Sequence, residues 1–313
     1  MIENRTFTRE ELLQIKGDTP VEGFRAFWEK QYADARNWKC SYTIESELWS
    51  PEKECRIYRF RFNSIDGFSI GGWISRPAVS TGGALIAHGY GNPAIPSVVA
   101  SPGRTSICPC VRGLGLSQCK EIPWQTARHA EYGFEDPEKY VITGGVRDLW
   151  SALTIMLDMF PDTADNIVCC GGSLGGGMGA MCIPWDERIH YGDLNIPTLG
   201  GRIVLNYPTS PDGPGESRRL KALASEAGLR VIDFCNASAA AQFIRVPTII
   251  TPALSDKVVP PPGQFAVANA IPEAFRIMRI REVGHAQATE ADCLMAKELE
   301  KIREQLFVSR KGK

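Results

Sequence analysis

The chain has 313 residues and a formal net charge of −1, with 43% apolar and 23% charged residues. That length suffices for one large domain with a substantial core. The composition is that of an ordinary soluble globular protein, and the near-neutral charge leaves no basic surplus for nucleic acid or an anionic membrane surface. The opening residues, MIENRTFTREELLQIKGDTP, lack the apolar core of a secretory signal, and no stretch approaches the length of a membrane span, so a cytoplasmic protein is expected. The ten cysteines are then expected as reduced thiols. Cys169 and Cys170 lie in an apolar run and read as core residues. Cys108, Cys110 and Cys119, with His129 downstream, invite a zinc reading, but their spacing is not a standard ligand pair, and buried or partly buried thiols are the better expectation.

In chain order, residues 1–50 read as an N-terminal helical extension with one amphipathic helix around VEGFRAFWEKQYADA, and residues 51–313 as a single α/β domain. CRIYRFRFNSIDGFSIGGWISRP alternates about an Asp66-Gly67 turn and predicts a β-hairpin. ALIAHGYG is a short apolar strand ending in a glycine-rich loop, and TSICPCVRGLG is another. Residues 144–160 form a helix, with Val146, Leu149, Trp150, Leu153, Met156, Leu157 and Phe160 at three- and four-residue steps. NIVCC reads as a strand, GGSLGGGMGAMCI as a turn into a helix, and RIVLNYP and VPTIITPAL as strands. A helix near PPGQFAVANAI, a last strand FRIMRIREV and an amphipathic helix over residues 288–306 complete the chain. Strands alternating with helices after an initial hairpin predict a mostly parallel sheet covered on both faces. Ligands of such sheets sit at the carboxyl ends of strands.

Gly171-Gly172-Ser173-Leu174-Gly175 fits GxSxG, and it has the strand before it and the small-residue helix after it that a nucleophile elbow needs. The alternative is a glycine-rich phosphate loop, but neither GxxxxGK[ST] nor a clean GxGxxG is present. Ser173 is the expected nucleophile. A serine hydroxyl needs a base, and histidine suits neutral pH. Of His88, His129, His190 and His285, only His285 follows the last predicted strand on the C-terminal side of Ser173. An acid between them would hold the imidazole tautomer. Asp256, just past VPTIITPALS, is the first candidate, with Asp212 and Asp233 as rivals. Serine, acid, histidine is the chain order of the α/β-hydrolase fold. The oxyanion donors are expected from the backbone N–H of Leu174 and from that of Tyr90 in the His88-Gly89-Tyr90-Gly91 loop, with His88 structural.

These residues together resemble the acetyl xylan esterase and cephalosporin C deacetylase family. HGYGN resembles its HGY oxyanion loop, VRGLG its RGQG loop and GGSLGGG its GGSQGGG elbow. VIDFCNASAAAQFIRVPTII and SDKVVPPPGQFAVANAI resemble its acid-bearing region, and FRAFWEK its N-terminal helix. The likeness spans roughly residues 20–300. It implies an α/β-hydrolase that removes acetyl groups from small acetylated sugars and related esters through an acyl-enzyme, without cofactor or metal, as a homohexamer with sites facing an interior chamber. It implies Ser173, Asp256 and His285 as triad, Tyr90 and Leu174 as oxyanion donors, and Pro208 and Val258 near a small acyl pocket. Three positions depart from the pattern: Leu114 replaces the Gln of RGQ, Leu174 the Gln after the nucleophile, and Ala286 the Glu after the histidine. Residues 190–201, HYGDLNIPTLGG, read as an insertion. The competing expectations are another hydrolase on the same fold, such as a peptidase or lactonase, and a non-catalytic scaffold.

Overall fold

The computed structural model describes residues 7–51, 54–91 and 103–308. Its elements in chain order begin with α1 (Arg9–Leu13) and α2 (Phe24–Asn37), then the strands β1 (Tyr42–Ser50), β2 (Cys55–Asn63), β3 (Ser69–Pro77), β4 (Gly83–Ala87) and β5 (Thr105–Pro109). There follow α3 (Thr126–His129), α4 (Val141–Met159), β6 (Ile167–Gly172), α5 (Leu174–Cys182), β7 (Tyr191–Asn195), α6 (Pro214–Ala224), α7 (Glu226–Phe234) and α8 (Ala237–Ala241). The chain ends in β8 (Thr248–Thr251), β9 (Ala253–Ser255), α9 (Pro261–Ala270), β10 (Arg276–Met278), β11 (Arg281–Val283) and α10 (Glu290–Val308).

Nine strands form one sheet in the order β1-β2-β3-β5-β4-β6-β7-β8-β10. The first four are joined antiparallel and the rest parallel. Strands β4 and β5 are buried along their whole length, as a sheet covered on both faces requires. Helix α4 buries most of its length, and Trp150 meets Trp28 of α2 edge-on at 6.3 Å. The Trp28 indole N–H donates to the Phe234 carbonyl at 2.9 Å, so the N-terminal helix is anchored in the core.

Five segments differ from their sequence-based expectation. Residues 42–50 hold no helix but the edge strand β1, whose weak alternation and largely exposed face gave little hydrophobic signal. Residues 190–201 are not an insertion, because Tyr191–Asn195 is β7, a central strand between β6 and β8. Its sequence, YGDLN, is poor in strand-forming residues, and the ladder on both sides sets its conformation instead. RIVLNYP is not a strand: Gly201 takes φ +84° and Gly201–Asn206 winds as a 3-10 turn. The strands expected at VPTIITPAL and FRIMRIREV are each split in two. Pro252 lacks an N–H for the ladder, and past it β9 leaves the main sheet to pair with β11.

A buried charge network braces the hairpin against α4. Arg112, 2% exposed, donates from Nε and Nη2 to Asp148 at 2.9 Å each, from Nη2 to Ser64 Oγ at 2.9 Å, and pairs with Asp66. Burial pushes the Asp66 carboxyl up, but the Arg112 charge and hydrogen bond outweigh it and hold the group below its ordinary value. Removing one partner leaves a buried charge uncompensated. Arg112→Met is therefore expected to destabilise the fold by about 3–5 kcal/mol in urea unfolding, and a loss below about 1 kcal/mol, the scale of an exposed pair, would contradict this role.

Candidate active site

The site lies at the carboxyl ends of the central parallel strands. Ser173 stands between β6 and α5 with φ 55° and ψ −120°, a conformation that costs a non-glycine residue on the order of 1–3 kcal/mol. The surroundings hold it there. Its N–H donates to the Asn195 carbonyl at the end of β7 at 3.0 Å, and its carbonyl accepts from Gly177 and Thr198, each at 3.1 Å. The segment 190–201 thus supplies the clamp on the turn. Gly175 is required by close approach: a Cβ there would overlap the Ala87 carbonyl oxygen.

His285 follows β11, and its Nε2 lies 3.0 Å from Ser173 Oγ. Its Nδ1 lies 2.8 Å from Asp256 Oδ2. Asp256 follows β9, and its side chain is 0% exposed, against 23% for that of His285. The carboxylate also accepts from the N–H groups of Val258 and Val259 at 2.8 and 3.0 Å and from Gln264 Nε2 at 2.9 Å. Burial pushes this carboxyl up, yet the hydrogen bonds from His285, Val259 and Val258 outweigh burial and hold it below its ordinary value. A Cβ on Gly284 would overlap the Asp256 carboxylate, so the histidine and the acid approach only across a glycine. The rivals lie elsewhere in role: Asp233 is bound to Arg202 at 2.6 Å, and among the described residues the hydrogen-bond partners of His285 are Asp256 and Ser173, not Asp212.

The His88–Gly91 loop follows β4 and lies against the elbow, since a Cβ on Gly89 would sit 3.2 Å from the Gly172 carbonyl and 3.5 Å from Ser173 Cβ. Among the described residues, neither the Tyr90 nor the Leu174 backbone N–H is taken up by another protein atom. Two neutral imidazoles brace this loop. His88 Nε2 accepts from the Val111 N–H at 2.7 Å, which places the proton on Nδ1 to donate to the Gly89 carbonyl at 2.6 Å. His129 Nε2–H donates to the Arg112 carbonyl at 2.8 Å, and its Nδ1 accepts from the Tyr90 hydroxyl at 3.0 Å. The bracing role of His129 has no sequence signature, since its partners Tyr90 and Arg112 lie far from it along the chain. Among the described residues, no group of three or more His, Cys, Asp or Glu side chains is disposed to hold a metal ion. Among the described residues no cysteine is joined in a disulfide, and burial pushes the Cys108 and Cys110 thiols up.

A cavity of about 390 Å³ opens on Ser173 and His285. Val258 lines it and is half-exposed. Pro208 does not line it, whereas its neighbours Tyr207 and Thr209 do. The expectation for Pro208 came from the family resemblance, and here the residue follows the 3-10 turn Gly201–Asn206. Leu114, in place of a polar residue, is buried in the core, while Ala286 is exposed.

A doubly covered, mostly parallel sheet with serine, aspartate and histidine meeting in that chain order at its strand ends is the α/β-hydrolase fold. The sequence matches the family Acetyl xylan esterase (AXE1) over residues 4–200, more than half of the chain, and the protein belongs to that family. No curated protein matches the chain. Among solved structures it is similar to the acetyl xylan esterase from Paenibacillus sp. R4, with 21% identity, a TM-score of 0.76, and coverage of 96% of this chain and 99% of the other. It is similar to acetyl xylan esterase 1 from Thermoanaerobacterium sp. JW/SL YS485 at 20% identity and a TM-score of 0.75, covering 95% and 99%. The acylaminoacyl peptidase of Pyrococcus horikoshii shares the fold more distantly, at 14% identity and a TM-score of 0.57, covering 82% of this chain and 41% of that one.

Burial pushes His129 down to about 4, against the Arg112 carbonyl, which raises it. Between its ordinary value of 6.5 and about 4, the unfolded chain binds a proton that the folded chain does not, so stability is full above this window and falls as the pH drops through it. Urea unfolding is expected to show a loss of up to about 3 kcal/mol across the window from this group, and a shallower slope in His129→Gln. An unchanged slope in the variant would contradict the assignment.

Proposed function

We propose that the protein is a serine esterase that removes acetyl groups from small acetylated sugars or related esters through an acyl-enzyme. The observation that carries this is the continuous contact from Ser173 Oγ to His285 and on to the buried Asp256 carboxylate, at 3.0 and 2.8 Å. His285 Nε2 takes the Ser173 proton as Oγ attacks the ester carbonyl. The Tyr90 and Leu174 N–H groups receive the oxyanion, assisted by the positive end of α5. His285 then returns the proton to the departing alcohol, and water resolves the acetyl-enzyme by the same route. Asp256 keeps the imidazole in the tautomer with Nδ1 protonated and stabilises the imidazolium.

The reading extends to setting and assembly. Cysteines that form no disulfide among the described residues are in keeping with a reducing cytoplasm. Exposed Ile44, Leu48 and Trp49 on the edge strand β1 favour self-association, in keeping with a homohexamer. No helix among the described residues is long and apolar enough to cross a membrane.

Kinetics on chromogenic acyl esters test the mechanism. Ser173→Ala is expected to lower kcat for the acetate on the order of 10⁵-fold or more, and Asp256→Asn about 10⁴-fold by presenting the wrong tautomer. A Ser173→Ala enzyme with the wild-type rate would refute the role, and activity on long acyl chains with none on acetate would refute acetyl removal. Gly284→Ala, which drives the Asp256 carboxylate from the imidazole, is expected to cost about 100-fold in kcat with the circular dichroism spectrum retained; a rate within twofold of wild type would show that the contact tolerates the extra methyl.

A further inference from the structure

The cavity beside Ser173 contains a charge that acyl transfer does not use. Arg218, on α6, lines the cavity and is 6% exposed. Among the described residues its guanidinium makes one hydrogen bond to the backbone, from Nη2 to the Cys235 carbonyl at 2.9 Å. Its buried Nε has no partner, and no carboxylate among the described residues forms an ion pair with it. The adjacent Arg219 differs, being held by Glu216 at 2.6 and 3.0 Å. Among the described residues a further buried polar atom on the cavity wall, Thr209 Oγ1, has no hydrogen-bond partner. The Tyr140 hydroxyl, also on the wall, lies beside the Arg218 guanidinium, within reach of its charge and of a hydrogen bond from it.

A guanidinium cannot shed its proton to escape burial, and an uncompensated buried charge is costly. Much of the wall, with Ile142, Val204, Leu205 and Ile232, is apolar, and the second arginine that lines it, Arg219, is already paired with Glu216. The volume, about 390 Å³, falls within the range of about 300–1,000 Å³ typical of cavities that bury a small organic molecule. An acetyl group occupies little of it, which leaves most of the space to the alcohol portion. The walls suit an apolar ring or chain, and the planar fork of Arg218 suits a carboxylate.

We propose that the cavity takes acetate esters whose alcohol portion joins an apolar body to a carboxylate, and that this carboxylate sits against Arg218 with Tyr140 beside it. This rests on Ser173 being the nucleophile of the site. Arg218 is then a specificity-determining residue for the anionic end of the substrate.

The test compares kcat/KM for 4-acetoxybenzoate with that for its neutral methyl ester. Wild type is expected to favour the carboxylate about 10- to 100-fold, chiefly through KM, as a charge-assisted hydrogen bond implies. The ratio is expected to fall to near one in Arg218→Met and to be partly retained in Arg218→Lys. A wild-type ratio near one, or a ratio unchanged in Arg218→Met, overturns the inference. Product inhibition of wild type provides a readout that needs no variant to fold: 4-hydroxybenzoate is expected to inhibit phenyl acetate hydrolysis at a concentration at least about tenfold below that of methyl 4-hydroxybenzoate, and equal inhibition overturns the inference. Preference for phenyl hemisuccinate over phenyl acetate, with none for 4-acetoxybenzoate over its methyl ester, overturns assignment of the charge to the alcohol portion. Ser173→Ala separates the two levels: an inactive variant with no carboxylate preference in wild type removes only the Arg218 inference, whereas a fully active variant removes the reading of the site itself.

Discussion

The buried carboxylate of Asp256 is the constraint around which the site is arranged. A carboxylate taken out of water must find donors, and this one has four: His285 Nδ1, the Val258 and Val259 N–H groups and Gln264 Nε2. Gln264 is itself oriented by the Ala253 N–H, which donates to its Oε1 at 2.9 Å. The acid loop, α9 and the histidine loop are therefore tied to one another through a single group. The split at Pro252 serves the same end, because β9 and β11 leave the main sheet as a pair and bring Asp256 and His285 to adjacent strand ends. Gly284 lets them meet.

The serine side of the site is held by different means. Its turn is strained, and the strain is sustained by three backbone hydrogen bonds, two of which reach residues at or beyond the end of β7. The loop that faces it has no regular structure of its own and depends on the neutral imidazoles of His88 and His129. Through the Arg112 carbonyl, His129 connects that loop to the ion network under the hairpin. Stability of the hairpin and placement of the oxyanion loop are thus mechanically linked, although Arg112 and Asp148 touch no reacting atom.

Much of this was legible in the sequence because the chemistry resides in short motifs at strand ends. GGSLG announces its own strand, turn and helix, and the order of Ser173, Asp256 and His285 follows from placing each after an apolar run. The central helix α4 was legible from its period, and α2 from its amphipathic face. What was not legible depends on the sheet rather than on local residues. The strand β7 carries a Gly, an Asp and an Asn among five residues and is a strand only because β6 and β8 flank it. RIVLNYP has the composition of a strand but no place in the ladder, since Gly201 turns the chain aside. The pairing of His129 with Tyr90 joins residues 39 positions apart and has no sequence signature.

The central claim is that the Ser173 hydroxyl, activated by His285, is the reacting nucleophile. Reaction with a fluorophosphonate probe followed by peptide mapping tests it most directly. A single adduct on Ser173 is predicted for the wild-type protein, with labelling greatly slowed in His285→Ala. Labelling at another residue, or equally rapid labelling of Ser173 in that variant, would contradict the account.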